Sequence, residues 1–149
     1  MRDRFVDPRT RAGDVQFMVL ASVVWGFSLA VAAWDFFSLQ SGVYRIGALA
    51  TVGISSTSGG VAIRIVARRT LGRHFTHRLG IVRGHRLIRH GIYARVRHPA
   101  YLGAILFDLG TPLLFLSLHG FLVALLLIPC FLYRIEVEET MLANEFGSE

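Results

Sequence analysis

From Val15 to Leu39 the chain runs for 25 residues with a single ionisable side chain, Asp35. Only Gln16, Ser22, Gly26, Ser28, Asp35 and Ser38 interrupt the apolar character. About 20 such residues cross the hydrocarbon core of a bilayer as a helix, so this segment predicts a membrane span. The composition agrees. Hydrophobic residues make up 53% of the chain and charged residues 17%, where soluble chains carry roughly 25% charge. Mean hydropathy is +0.51. Arg2, Arg4, Arg9 and Arg11 before the run and Ala30-Val31-Ala32 within it also fit a cleavable signal peptide. The run continues through Trp34 and Phe36-Phe37, past that point, so a retained span is expected.

Three further segments follow. Residues 43–63 are eleven apolar, four Gly, five Ser or Thr, and Arg45. The small residues at 55–60 suit a helix-packing face, where a neighbouring backbone comes close; a substrate contact is the alternative. Residues 101–118 and 121–135 form a C-terminal hairpin about a turn at His119-Gly120. Pro112 and Pro129 each remove a helix hydrogen bond and favour a kink. The expected fold is all-α: a polytopic transmembrane bundle of about four spans in one domain, with a loop over 64–100 and a tail over 136–149.

All sixteen basic residues are Arg, and the net charge is +6. Ten lie between Arg64 and Arg97, and four precede Gly13. With four spans, both termini and the long loop share one side, which the positive-inside bias makes cytosolic. The basic residues flank apolar spans, so membrane lipids rather than nucleic acid are the expected partners. Cys130 is the one cysteine and excludes an internal disulfide.

Residues 64–101 hold five of the six His and no acid. They carry no HExxH signature and no nearby carboxylate or cysteine partner. No metal site is expected, although His74, His77, His85, His90 and His98 leave haem or metal binding as an alternative. Pro99 restricts His98 away from helical angles and fits a helix start. Arg97 and His98 therefore stand beside a positive helix end, where a carboxylate or other anion is favoured. Tyr93 and Tyr101 flank it. After the fourth segment, Arg134 and Glu138 are four residues apart on one helical face, and Glu139 and Leu142 follow. A hairpin returns this acidic stretch to the arginine-rich side. The result is an anion-binding wall facing an acidic one, suited to a ligand of mixed charge; a surface lattice of weak ion pairs is the alternative. Asp108, inside the third span, is a functional candidate by position, or it pairs with Arg64.

Leu71-Gly72, Phe75, His85-Arg86-Leu87-Ile88, Gly91-x-Tyr93 and Arg97-His98-Pro99-x-Tyr101-Leu102-Gly103, followed by Arg134, Glu138-Glu139, Leu142 and Phe146-Gly147, carry a resemblance. Over about its last half, the chain resembles the isoprenylcysteine carboxyl methyltransferase and phospholipid methyltransferase superfamily. The resemblance implies an S-adenosylmethionine-dependent methyltransferase without a Rossmann domain. It is embedded in a cytoplasmic or endoplasmic reticulum membrane, and its active site faces the cytosol. It implies cofactor binding by His85, Leu87, Gly91, Tyr93, His98, Pro99, Tyr101, Leu102, Glu138 and Glu139. It implies that Arg134 positions the methyl acceptor, a lipophilic or small carboxylate, amine or thiol, with Glu138 orienting Arg134. Ile92 and Ala94 replace residues common in the superfamily, and Ala94 leans towards the carboxyl methyltransferase branch. Relatives usually continue beyond Phe146-Gly147 with a Tyr-containing, basic tail that covers the cofactor. A catalytically silent membrane scaffold is the competing function.

Overall fold

The computed structural model describes residues 4–5, 8–72, 81–82 and 90–147, with side chains from 13 to 72, 90 to 143 and at 147. Apart from one short strand pair, the described residues form a bundle of helices. Helix α1 spans Pro8–Ser38, α2 Ala48–Leu71, α3 Pro99–Leu114, α4 Leu118–Ala124 and α5 Leu127–Phe146. A short 3-10 turn, Gly91–Ala94, precedes α3. Two-residue strands β1 (Arg4–Phe5) and β2 (Ile81–Val82) pair antiparallel.

Among the described residues, three segments are long and apolar enough to cross a membrane: Gly13–Ser38, Ala48–Leu71 and Leu118–Ala143. The last joins α4 and α5, and α3 is a shorter apolar helix. The lipid-solvent signature is on the surface. Val19, Val23, Phe27, Trp34 and Phe37 of α1 all lie more than half exposed, as do Leu122, Leu126 and Leu132 of the hairpin. Inside, the bundle is held by close approach rather than by a bulky core. Helices α2 and α3 run antiparallel, with Gly53 against Leu113 and Leu114, Gly60 against Gly103 and Phe107, and Gly110 against Thr57. The small residues of 43–63 thus form a packing face. One apolar cluster, Ala104, Leu127 and Phe131, is flanked by Phe17, Val24, Trp25 and Tyr101.

Several boundaries differ from the sequence reading, each for a local reason. Helix α2 starts at Ala48 because Ser41 and Gly42 take positive φ and Gly47 is extended. It continues past Ile63 to Leu71, carrying Arg64, Arg68 and Arg69 with it. The hairpin turn falls at 115–117, before His119-Gly120. There the Ser117 hydroxyl caps α4, accepting from the Gly120 amide at 2.8 Å, and donates to Asp35 at 2.6 Å. Pro129 acts four residues upstream: its ring opposes the Leu125 carbonyl, and α4 and α5 part at Leu125 and Leu126.

Two polar clusters mark the two ends of the bundle. At one end, buried Asp35 of α1 accepts from Ser117 and lies 3.0 Å from His119 Nδ1. At the other, buried Asp14 of α1 meets Arg134 of α5. As a helix, the stretch of α1 between the two carboxylates rises about 30 Å, the thickness of a hydrocarbon core. Within the described part of α1, ionisable side chains are thereby confined to the two ends, and the lipid-facing middle stays apolar.

Candidate functional site

The end marked by Asp14 gathers the ends of α1, α2 and α3 and the middle of α5. Pro99 occupies the first turn of α3 and is buried; His98 is the N-cap, and its side chain does not cap the helix. The imidazole is therefore free to reach α5, where its Nε2 lies 3.1 Å from Glu139 Oε1. Arg97 approaches the same carboxylate at 4.0 Å from a largely solvated position. One turn further along α3, the Tyr101 hydroxyl donates to Glu138 Oε2 at 2.6 Å and accepts from Arg134 Nε at 2.9 Å. Arg134 also donates to Asp14 Oδ1. Its guanidinium lies over the Phe17 ring, 4.6 Å from the centroid. Phe17, Phe131 and Tyr101 pack edge to face, with centroids 5.8 and 6.2 Å apart, forming an apolar floor under the charges.

The site has two layers. The inner one, Asp14–Arg134–Tyr101–Glu138, is largely out of water: Arg134 is 5% exposed and Asp14 4%. An ion pair that deep survives only when well hydrogen-bonded, and here the guanidinium has the carboxylate, the phenol and an aromatic face. The outer layer, Arg97–His98–Glu139, is half-solvated, so its pairing contributes little to stability. Its geometry is open to a ligand.

Tyr93 stands half-buried on the 3-10 turn. Burial pushes its hydroxyl up to about 12, with the Glu138 carboxylate adding to the effect. A raised pKa keeps the phenol neutral, and its contribution to stability is complete below about 10. That contribution is lost as pH rises through the folded value. The difference between wild type and Tyr93→Phe in tyrosinate absorbance should therefore rise near pH 12 rather than near pH 10. A difference centred on 10 would place Tyr93 in open water.

Among the residues singled out from sequence, His98, Tyr101, Arg134, Glu138 and Glu139 converge on this end of the bundle, with Tyr93 beside Glu138 and Pro99 setting the start of α3. Gly91 lies at the edge with φ +63 beside the Thr70 side chain, a backbone position that favours glycine. Leu102 points its side chain outward, 39% exposed; its amide donates to the His98 carbonyl. His85 and Leu87 lie outside the described residues. Arg134 and Glu138 share a face as expected, and both engage the Tyr101 hydroxyl. Asp14 was not anticipated. The available signal was a carboxylate one residue before an apolar run, in a chain dominated by arginine.

A helical bundle with three helices long and apolar enough to cross a bilayer, and with its ion pair and acidic, aromatic cluster gathered at one end, is an integral membrane protein. A profile of the isoprenylcysteine carboxyl methyltransferase (ICMT) family matches residues 54–144, which take in most of α2 and α5 and all of the site except Asp14 and Phe17 of α1. The chain belongs to that family. It is 30% identical over 129 residues to protein-S-isoprenylcysteine O-methyltransferase of Tribolium castaneum, covering 80% of this chain and 45% of the relative. Over 101 residues it is 38% identical to the probable protein-S-isoprenylcysteine O-methyltransferase of Oryza sativa subsp. indica, covering 66% and 53%. The Rattus norvegicus protein of the first name is 31% identical over 127 residues, covering 80% and 45%. The chain thus spans about half the length of the curated relatives it matches. No solved structure matches it.

Proposed function

We propose that the chain is an integral membrane methyltransferase that uses S-adenosylmethionine at the cytosolic membrane face and methylates the carboxylate of a lipophilic acceptor. The relatives' names point to an isoprenylated cysteine as that acceptor. The observation that carries the reading is the junction of α3 and α5. His98 reaches Glu139, and Tyr101 reaches Glu138, so the two halves of the sequence motif form one site.

The donor set fits a zwitterionic sulfonium ligand. Glu138 and Glu139 accept from hydroxyl or ammonium groups. The first-turn amides of α3, which the His98 side chain leaves uncapped, favour a carboxylate. The faces of Tyr93 and Tyr101 favour a cation. When bound, S-adenosylmethionine supplies a methyl group on a positively charged sulfur, which an acceptor carboxylate takes without a general base. The protein's part is therefore positioning, where holding reacting groups ~3–3.5 Å apart contributes several kcal/mol. Arg134, fixed by Asp14 and Tyr101, positions the acceptor through its guanidinium N–H groups, and Glu138 helps to hold its partner Tyr101. The Phe17–Phe131 floor keeps the reacting end dry, which favours loss of charge from the acceptor. The apolar flanks of α1 and α5 give a prenyl chain access from the bilayer.

Arg68 and Arg69 at the end of α2, Arg97 before α3 and Arg134 of α5 gather at the site's end of the bundle, which supports a reading in which the chain crosses four times and carries its arginines on the site's side of the membrane. The positive-inside bias makes that side cytosolic. Calorimetry on detergent-purified protein tests the reading: S-adenosylmethionine and its demethylated product should both bind, and His98→Ala should weaken both about tenfold, the scale of one charge-assisted hydrogen bond. A wild-type protein that binds neither would leave a membrane scaffold in place of an enzyme.

A further inference from the structure

Helix α1 lies outside the residues matched by the ICMT family profile, yet it supplies Asp14, whose carboxylate is 4% exposed and bonded to Arg134. We infer that Asp14 is a positioning residue that sets the charge of the site, giving it a preference for the sulfonium donor over the neutral thioether left after transfer. The inference rests on the methyltransferase reading and adds to it a residue and an electrostatic role.

The argument is a charge balance. The inner layer contains the carboxylates of Asp14 and Glu138, the guanidinium of Arg134 and the hydroxyl of Tyr101, linked by hydrogen bonds. Among these described groups the carboxylates outnumber the guanidinium, and Asp14 contributes one of the two negative charges. A sulfonium beside the cluster is attracted; a thioether is not. Without Asp14 the cluster loses one negative charge, and the guanidinium of Arg134 loses the carboxylate that holds it where it overlies the Phe17 ring and donates to Tyr101. Asp14 also fixes orientation. It holds one end of the guanidinium while Nε is directed at Tyr101, which in turn donates to Glu138. The outer layer cannot substitute, because Glu139 is already matched by His98 and Arg97 and is half-solvated, where charge is screened.

A purely structural role would weaken every ligand alike; a charge role splits ligands that differ by one charge. The test is calorimetry on full-length protein in detergent with S-adenosylmethionine and S-adenosylhomocysteine. Asp14→Asn should weaken the sulfonium ligand relative to the thioether by roughly tenfold, the order expected for one unit charge a few ångströms away in a partly buried site. Arg134→Gln should move the ratio the other way, since it leaves both carboxylates. The double variant Asp14→Asn/Arg134→Gln, with its single negative charge on Glu138, should return the ratio to the wild-type value. Because it removes both members of the buried pair, it also covers the case in which Asp14→Asn does not fold. Equal weakening of both ligands by Asp14→Asn, or a double variant whose ratio departs from wild type, overturns the inference and leaves the methyltransferase reading intact. Binding of neither ligand by the wild type removes that reading, and the inference with it.

Discussion

Arg134→Ala is expected to destabilise the folded protein by about 3–5 kcal/mol, the cost of stranding one member of a buried ion pair. The side chain it removes is 5% exposed and donates to Asp14 and Tyr101. Alanine leaves the buried Asp14 carboxylate without this cation, and leaves the Tyr101 hydroxyl without one donor. Removing both charges is a different perturbation. Replacing an entire buried pair with neutral groups of similar volume is often close to neutral in stability. Asp14→Asn/Arg134→Gln should therefore unfold much nearer to wild type than Arg134→Ala does. Denaturant or thermal unfolding of the three proteins in one detergent checks this. If Arg134→Ala melts with the double variant, the pair is not buried as described. The catalytic consequence is separable: if, as proposed, Arg134 positions the acceptor while His98 and Glu139 bind the cofactor, turnover with a prenylcysteine acceptor should fall further than cofactor affinity. Equal loss of both would make Arg134 a cofactor-binding residue.

The parts of this fold that sequence discloses are those encoded by neighbours along the chain. The run of 25 residues from Val15 announces a span because hydropathy is a local property. Pro99 announces the start of α3 because proline acts on its own residue and the one before. Arg134 and Glu138 share a face because four residues make about one turn. What sequence conceals is which helix meets which. Nothing local pairs Asp14 with Arg134, since a carboxylate before an apolar run is equally compatible with a solvated helix end. The start of α2 is concealed for a similar reason. Val43, Tyr44 and Ile46 are apolar enough to extend a span, but the chain spends them on a turn governed by Ser41 and Gly42 at positive φ. At its other end, α2 outlasts the apolar run. Helix geometry does not stop at a membrane boundary, and Arg64, Arg68 and Arg69 are good helix formers. At the hairpin, Ser117 decides the turn through bonds to Gly120 and Asp35, and the second of these comes from a helix more than eighty residues away.

Gly60→Leu is expected to separate α2 from α3 and to abolish cofactor binding, whereas Gly59→Leu, one residue away on the same helix, should do neither. A Cβ on Gly60 would stand 2.6 Å from the Gly103 carbonyl oxygen and 2.6 Å from the Phe107 amide nitrogen. Both are backbone atoms, so no side-chain rotation relieves the clash; the helices themselves must move. Movement there propagates in both directions, because Gly53 and Gly110 make equally close backbone contacts along the same seam. Overpacking of this kind costs typically 1–3 kcal/mol and occasionally more, and a four-carbon side chain against two backbones belongs at the upper end. The functional effect follows from where the seam leads. Gly103 lies one turn from Pro99, so displacing α3 carries His98 and Tyr101 away from Glu139 and Glu138, whose bonds at 3.1 and 2.6 Å tolerate little displacement. A Cβ on Gly59 meets nothing within 4 Å, and a better helix former replaces glycine there at a gain of about 0.5–1 kcal/mol. Thermal unfolding and calorimetry with S-adenosylhomocysteine on both variants give the contrast directly. If Gly60→Leu melts and binds as Gly59→Leu does, the glycine seam does not hold α3 in place, and the geometry that joins the motif's two halves has another source.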